Sequence, residues 1–191
     1  MVFYCHVREE HTIIVVATND MVVTSKRMVN AEKFKSIIKT FWDIIDHGPI
    51  QWFLGFEIKR NRKARTISIN QQVYIETMVE KFGLTSTKKT TTPMEQNTQF
   101  SIQQCPATLK QMACMKGIPY AEAIGLILWP TVVSRPYMAF AVSVLSQFIQ
   151  NPGPVHWDGV KRVNSYLATT KDLWLTFGGG ERTLQGYCNA D

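Results

Sequence analysis

The spacing of apolar positions changes period several times along the chain, and each change predicts an element. His11 to Thr24 is a dense β-branched run, Thr12-Ile13-Ile14-Val15-Val16 and then Val22-Val23-Thr24, broken by Ala17-Thr18-Asn19-Asp20-Met21. Asn and Asp tolerate turn conformations and bond their own backbone, so this predicts a tight hairpin. Phe34, Ile37, Ile38 and Phe41 then follow the i, i+3, i+4, i+7 spacing of a helix over Ala31 to Trp42, with Asn30 as N-cap. A second hairpin is expected from Ile50–Glu57 paired with Thr66–Ile69. Asn70 would cap a helix over Gln71–Phe82 that stops at Gly83.

From Leu84 to Ile118 the periodicity fades. Thr85-Ser86-Thr87-Lys88-Lys89-Thr90-Thr91-Thr92-Pro93 and the Gln-rich stretch behind it read as a linker across the surface. Helical spacing returns at Tyr120–Val133 (bent near Pro130), Tyr137–Gln150 and Val155–Thr170, broken at Arg135-Pro136 and Asn151-Pro152-Gly153-Pro154. The end reads as β: Leu173–Phe177, a turn at Gly178-Gly179-Gly180, then Thr183–Asp191. The order ββα, ββα, linker, ααα, ββ gives an α+β fold class.

Composition narrows the alternatives. With 191 residues and 45% apolar positions the chain can bury a core, which excludes wholesale disorder and collagen-like repetition. Cys5, Cys105, Cys114 and Cys188 are too few and scattered for a disulfide scaffold and fit a reducing compartment. The apolar territory Ala121–Ile149 is cut by Pro130, Arg135 and Pro136, so a membrane span is not expected.

The net charge of +6 is uneven, with 14 Lys/Arg against 10 Asp/Glu in residues 1–95 and 7 against 5 afterwards. Its densest cluster is Lys59, Arg60, Arg62, Lys63 and Arg65. Such a cluster can neutralise phosphates, but its place between two strand-like runs puts a solvated hairpin tip first. Other candidates are weaker. His6 and His11 near Cys5 lack zinc spacing. His156 before Trp157 at a helix start suggests packing or capping. Gly178-Gly179-Gly180 is a turn without the Lys-Ser/Thr helix of a phosphate loop. Asp43 and Asp46, just past a helix end, would be solvated.

An apolar strand, a turn ending in Asp20-Met21 and a second strand resemble the catalytic hairpin of reverse transcriptases. The downstream order resembles the polymerase of copia-type LTR retrotransposons. Trp52-Phe53-Leu54-Gly55-Phe56-Glu57-Ile58 is similar to that family's FLGxEI signature. Gln72-Val73-Tyr74-Ile75 with Phe82-Gly83-Leu84, Thr92-Pro93-Met94 and Pro119-Tyr120-Ala121-Glu122-Ala123-Ile124-Gly125 follow in family order. So do Ser134-Arg135-Pro136 with Ala139-Phe140-Ala141-Val142, and Asn151-Pro152 with His156-Trp157, Lys161-Arg162-Val163 and Tyr166-Leu167. Gly186-Tyr187-Cys188-Asn189-Ala190-Asp191 resembles the opening of the family's RNase H domain.

The resemblance implies DNA synthesis on an RNA/DNA template–primer with two divalent ions, usually Mg²⁺, held by carboxylates. The family's turn carries Tyr, a variable residue and two aspartates. Here these positions read Ala17-Thr18-Asn19-Asp20, so Asp20 is the one carboxylate left to hold metal. An amide stands at Asn19, and the aspartate of an earlier palm strand has no counterpart. Asn189 likewise replaces the leading RNase H aspartate, and Tyr137 stands where the family has Asp after Arg-Pro. The resemblance places Trp52, Phe53, Leu54 and Gly55 on the primer backbone and the basic cluster on phosphates. It implies residues 1–83 as the end of a palm and start of a thumb, 84–118 as linker, 119–172 as a helical connection and 173–191 as the terminal β-hairpin of a truncated RNase H domain.

The expectation is therefore a window of a longer polyprotein, decayed and inactive as a polymerase. The alternative is a non-catalytic nucleic-acid-binding or inert remnant of a transposable element. In either case the place is intracellular, cytoplasmic or nuclear, with no cofactor beyond nucleotide and metal. The strands Ile13–Val16 and Val22–Thr24 are expected to lack neighbours and leave aggregation-prone edges.

Overall fold

The computed structural model describes residues 1–7, 10–83 and 90–180. They form a mixed α+β structure with two antiparallel sheets and six α-helices. The chain divides into two compact units, Met1–Ile58 and Lys59–Asp191. In the later unit the helix after the second hairpin sends Ile75, Met78 and Val79 into the core.

The first unit is built on strands β1 (Val2–Val7), β2 (Glu10–Ala17) and β3 (Asp20–Ser25), in that order across the sheet. Ile13–Val16 therefore does not lack neighbours: β2 is central, and the overlooked run Val2-Phe3-Tyr4-Cys5 supplies β1, with Tyr4 opposite Ile13. The open edges are β1 and β3. Helix α1 spans Met28–Lys39, about one turn earlier than expected. Asn30 lies inside it, donating its backbone N–H to the Arg27 carbonyl at 3.2 Å. Ala31, Phe34 and Ile38 form its inner stripe, while Phe41 lies past its end and is 71% exposed. The expected strand Ile50–Glu57 is instead two strands, β4 (Trp52–Phe53) and β5 (Phe56–Asn61), folded on each other at Leu54-Gly55.

β5 runs on into the second unit, where it neighbours β6 (Thr66–Asn70), and β6 neighbours β7 (Leu175–Gly178). The pairs Ser68↔Thr176 and Ile67↔Phe177 set the register. β7 is the first strand of the expected terminal hairpin and pairs with β6, while the second strand, Thr183–Asp191, lies outside the described residues. Helix α2 (Gln72–Lys81) starts where expected, with the Asn70 side chain accepting from the Gln72 amide at 2.5 Å. The chain leaves it at Gly83, whose φ of +63° suits glycine.

Helices α3 (Leu109–Met115), α4 (Tyr120–Val133), α5 (Ala139–Ser146) and α6 (Pro154–Thr169) follow. Ile75, Ile124, Ile127, Leu145, Val160 and Leu167 are among the fully buried side chains where α2, α4, α5 and α6 meet. Pro130 inside α4 cannot donate to the Leu126 carbonyl four residues back. The Tyr74 hydroxyl of α2 donates to that carbonyl at 2.9 Å. Within the described part of the polar segment before α3, Met94 and Phe100 pack on the core. Arg162 bonds Glu95 at 2.6 Å and Thr92 at 3.1 Å.

Candidate nucleic-acid interface and the Asn19-Asp20 turn

Ala17 and Asp20 are the last register pair of the β2–β3 hairpin, so Thr18 and Asn19 are the two loop residues. Thr18 has φ of +49°, a left-handed conformation that strains a β-branched residue. Thr18, Asn19 and Asp20 are all exposed. The donor set here is one carboxylate and one amide oxygen. Among the described residues no three His, Cys, Asp or Glu side chains cluster to hold a metal ion. An amide brings no charge to offset two divalent cations, so these residues do not fit a Mg²⁺ pair.

The β4–β5 turn lies in the other sheet. Leu54 (φ +50°) and Gly55 (φ +81°) are both left-handed, the requirement of the tight hairpin turn whose two central residues have positive φ. Phe53 and Phe56 are paired, with rings edge-to-face at 6.1 Å. This projects Trp52 and Leu54 outward, 56% and 41% exposed.

The basic cluster is divided by the β5–β6 hairpin. Lys59 and Arg60 lie on β5, while Arg62, Lys63 and Arg65 form the tip, all five exposed. Asn61 Oδ1 accepts the Ala64 amide at 3.0 Å and closes that tip. Lys59 Nζ sits 3.9 Å from the centre of the Trp174 ring, a cation–π contact. Trp174 carries no distinctive mark in the local sequence pattern. Its signal was an aromatic residue just before a strand, uninformative until β7 is known to lie beside β6.

Residues outside the candidate site position the hairpin. Asn70 Nδ2 donates to the carbonyls of Leu173 at 2.7 Å and Lys171 at 3.1 Å, holding the approach to β7. Arg135, 1% exposed, donates through Nη2 to the Thr170 carbonyl at 2.7 Å. Its charge thus closes the C-terminal end of α6, where cations are favoured. Next to it Ser134 Oγ donates to Gln71 Oε1 at 2.7 Å. Burial pushes the Tyr166 hydroxyl up to about 12, with the neighbouring Tyr137 adding to the shift.

His156 caps: its Nδ1 accepts the Gly153 amide at 2.8 Å, and its ring stacks on Phe148 at 3.9 Å. Burial lowers its pKa, partly offset by the Ser101 backbone. Gly153 is required there, because a Cβ would lie 2.2 Å from the Gln104 carbonyl oxygen. Asp46 is not simply solvated. The Gly48 amide and the Lys35 ammonium, at 2.9 and 3.0 Å, hold its carboxyl below the usual range. Asn189 lies outside the described residues.

Residues 1–96 match the family described as Reverse transcriptase (RNA-dependent DNA polymerase). The chain is 35% identical to a retrovirus-related Pol polyprotein from transposon TNT 1-94 of Nicotiana tabacum, over 94% of this chain and 14% of that one. It is 26% identical to a putative transposon Ty5-1 protein of Saccharomyces cerevisiae, over 93% of this chain and 56% of the other. A shorter stretch, 40% of this chain and 55% of the relative, is 47% identical to the secreted RxLR effector protein 161 of Plasmopara viticola. The chain thus spans about a seventh of the tobacco polyprotein and little more than half of the other two. No solved structure matches it.

Proposed function

The chain belongs to the reverse transcriptases (RNA-dependent DNA polymerases) of copia-type retrotransposons, and on that premise we propose that it grips a template–primer duplex by its backbone without polymerising. The observation that carries this reading is the Asn19-Asp20 turn, which keeps the family's hairpin and loses half of its charge. In the intact family the metal ions activate the primer hydroxyl and stabilise the departing pyrophosphate. Here Asp20 alone could hold a cation.

What remains is binding. The outward Trp52 and Leu54 of the tight β4–β5 turn suit contact with a primer backbone. Lys59, Arg60, Arg62, Lys63 and Arg65 suit phosphates, which position a duplex without reading its sequence. In this reading residues 1–83 are the end of the palm and start of the thumb, and 119–172 are the connection. Among the described residues no helix is long and apolar enough to cross a membrane.

The test is primer extension on RNA and DNA templates with Mg²⁺ or Mn²⁺, beside binding of the same labelled duplex at rising salt. Binding that weakens with salt and no incorporation is expected. Incorporation that disappears in Asp20→Ala would overturn the proposal. The second reading, an inert remnant, is favoured by the sparse core of the first unit, and absence of salt-dependent binding would select it.

A further inference from the structure

The β5-β6-β7 sheet carries an apolar feature that duplex handling leaves unused. Ile67 and Phe177 are directly opposed on β6 and β7, so their side chains share one face. Phe177 is 51% exposed and Ile67 36%. Ser68 and Thr176 share the other face, joined hydroxyl to hydroxyl at 2.8 Å. Alternation puts Trp174 on that second face with Thr176, and Lys59 reaches it over the Trp174 ring. Arg60, one residue along β5, alternates to the face of Ile67 and Phe177. The exposed aromatic ring is therefore accompanied by Arg60 and by the tip cations Arg62, Lys63 and Arg65.

We propose that this face binds single-stranded nucleic acid, with a base stacked on Phe177 and the neighbouring phosphates held by Arg60 and the basic tip. Two properties favour that occupant, the first over a duplex and the second over another copy of this chain. A paired base is covered by its neighbours in the stack, so an aromatic side chain on a sheet gains only from a base whose face is free. Arg60 and the tip cations Arg62, Lys63 and Arg65 complement phosphates, whereas a second copy of this chain would bring the same cations to the contact. The β7 turn also keeps the ring close to the tip. Gly178 (φ +87°) has no room for a Cβ, which would lie 2.3 Å from the Arg65 carbonyl oxygen, so strand end and basic tip are in backbone contact. The inference rests on the reading of this chain as a nucleic-acid-handling family member, and it adds a strand type and a ring.

The experiment compares the full chain with Phe177→Ala and Phe177→Tyr, using labelled dT20 and a labelled 20-base-pair duplex in a salt series. Phe177→Ala should weaken dT20 binding about tenfold, the usual loss for one stacked base, with the salt slope and duplex affinity unchanged. Phe177→Tyr, which keeps the ring, should bind dT20 as the parent does. Equal affinity of parent and Phe177→Ala for dT20 overturns the proposal while retained duplex binding leaves the backbone-grip reading standing. So does an equal loss on both probes, which marks Phe177 as structural. Loss of all binding in the parent overturns both readings.

Discussion

The two units differ in where their apolar residues go. In the later one, α2, α4, α5 and α6 close around Ile75, Ile124, Ile127, Val160 and Leu167, none more than 1% exposed. In the earlier one only Ala31 and Ile58 are buried hydrophobic residues among those described, while Val2, Val29, Trp42 and Ile45 are 66, 73, 63 and 81% exposed. The unit that carries the polymerase-like turn is thus the one with little core. Apolar burial near 25 cal/mol per Å² is the main force holding a small sheet together. Buried apolar side chains are concentrated in the helices of the later unit.

The largest expected effect follows directly. Leu167→Ala deletes a wholly buried side chain at the centre of the helical core and should cost about 2–5 kcal/mol. Phe41→Ala removes a larger group from the first unit, yet that ring is 71% exposed and the cost should stay within about 0.5 kcal/mol. Paired thermal melts followed by circular dichroism decide it. Comparable losses from the two substitutions would break the contrast between the units.

A smaller effect lies in the turn itself, and it runs the other way. Thr18 is held at φ +49° by a two-residue loop, a conformation costing an L-residue about 1–2 kcal/mol. Thr18→Gly removes that strain at the expense of some unfolded-chain entropy, so a net gain of about 0.5–1 kcal/mol is expected. Amide hydrogen exchange across β2 and β3 is the measurement, with slower exchange in the variant. Unchanged or faster exchange would mean the loop is not where the first unit loses stability.

The sequence was most legible where one periodicity ran unbroken. The bounds of α4 and the start of α6 were readable because their apolar spacing is helical and prolines mark the breaks. β1 was passed over because a short β-branched and aromatic run at the beginning of a chain has no partner until the register with β2 is known. The strand Ile50–Glu57 became two, since Leu54 accepts a left-handed turn that only the adjoining Gly55 hinted at. Roles carried by tertiary contacts left no local trace. Arg135 reads as an interruption of an apolar stretch, and its bond to the Thr170 carbonyl depends on α6 returning 35 residues later. Trp174 beside Lys59 requires β7 to cross back to β6 over more than 100 residues. Family motifs located Asn19 and Asp20 at once, since a hairpin turn is encoded by neighbouring residues alone.

The smallest expected effect is pH-dependent and belongs to the helical unit. His156 is neutral in the fold: its Nδ1 accepts the Gly153 amide, and its ring stacks on Phe148 and lies tilted beside Phe100. Burial depresses its folded pKa below the ordinary imidazole value of about 6.5. Between the folded pKa and 6.5 the unfolded chain therefore binds more protons than the folded one. Stability from this residue is complete above about pH 6.5 and is lost as pH falls toward the folded pKa. His156→Gln removes the titration while a Gln at the third helical position can still reach back to the Gly153 amide. The variant should melt lower at pH 7.5, having lost the ring stack, but its melting temperature should fall less between pH 7.5 and 5.5 than the parent's. The exposed carboxylates titrate in both proteins, so the difference of the two slopes isolates His156. Parallel slopes would mean the imidazole is protonated without disturbing α6, and the helical unit would then owe none of its pH sensitivity to this cap.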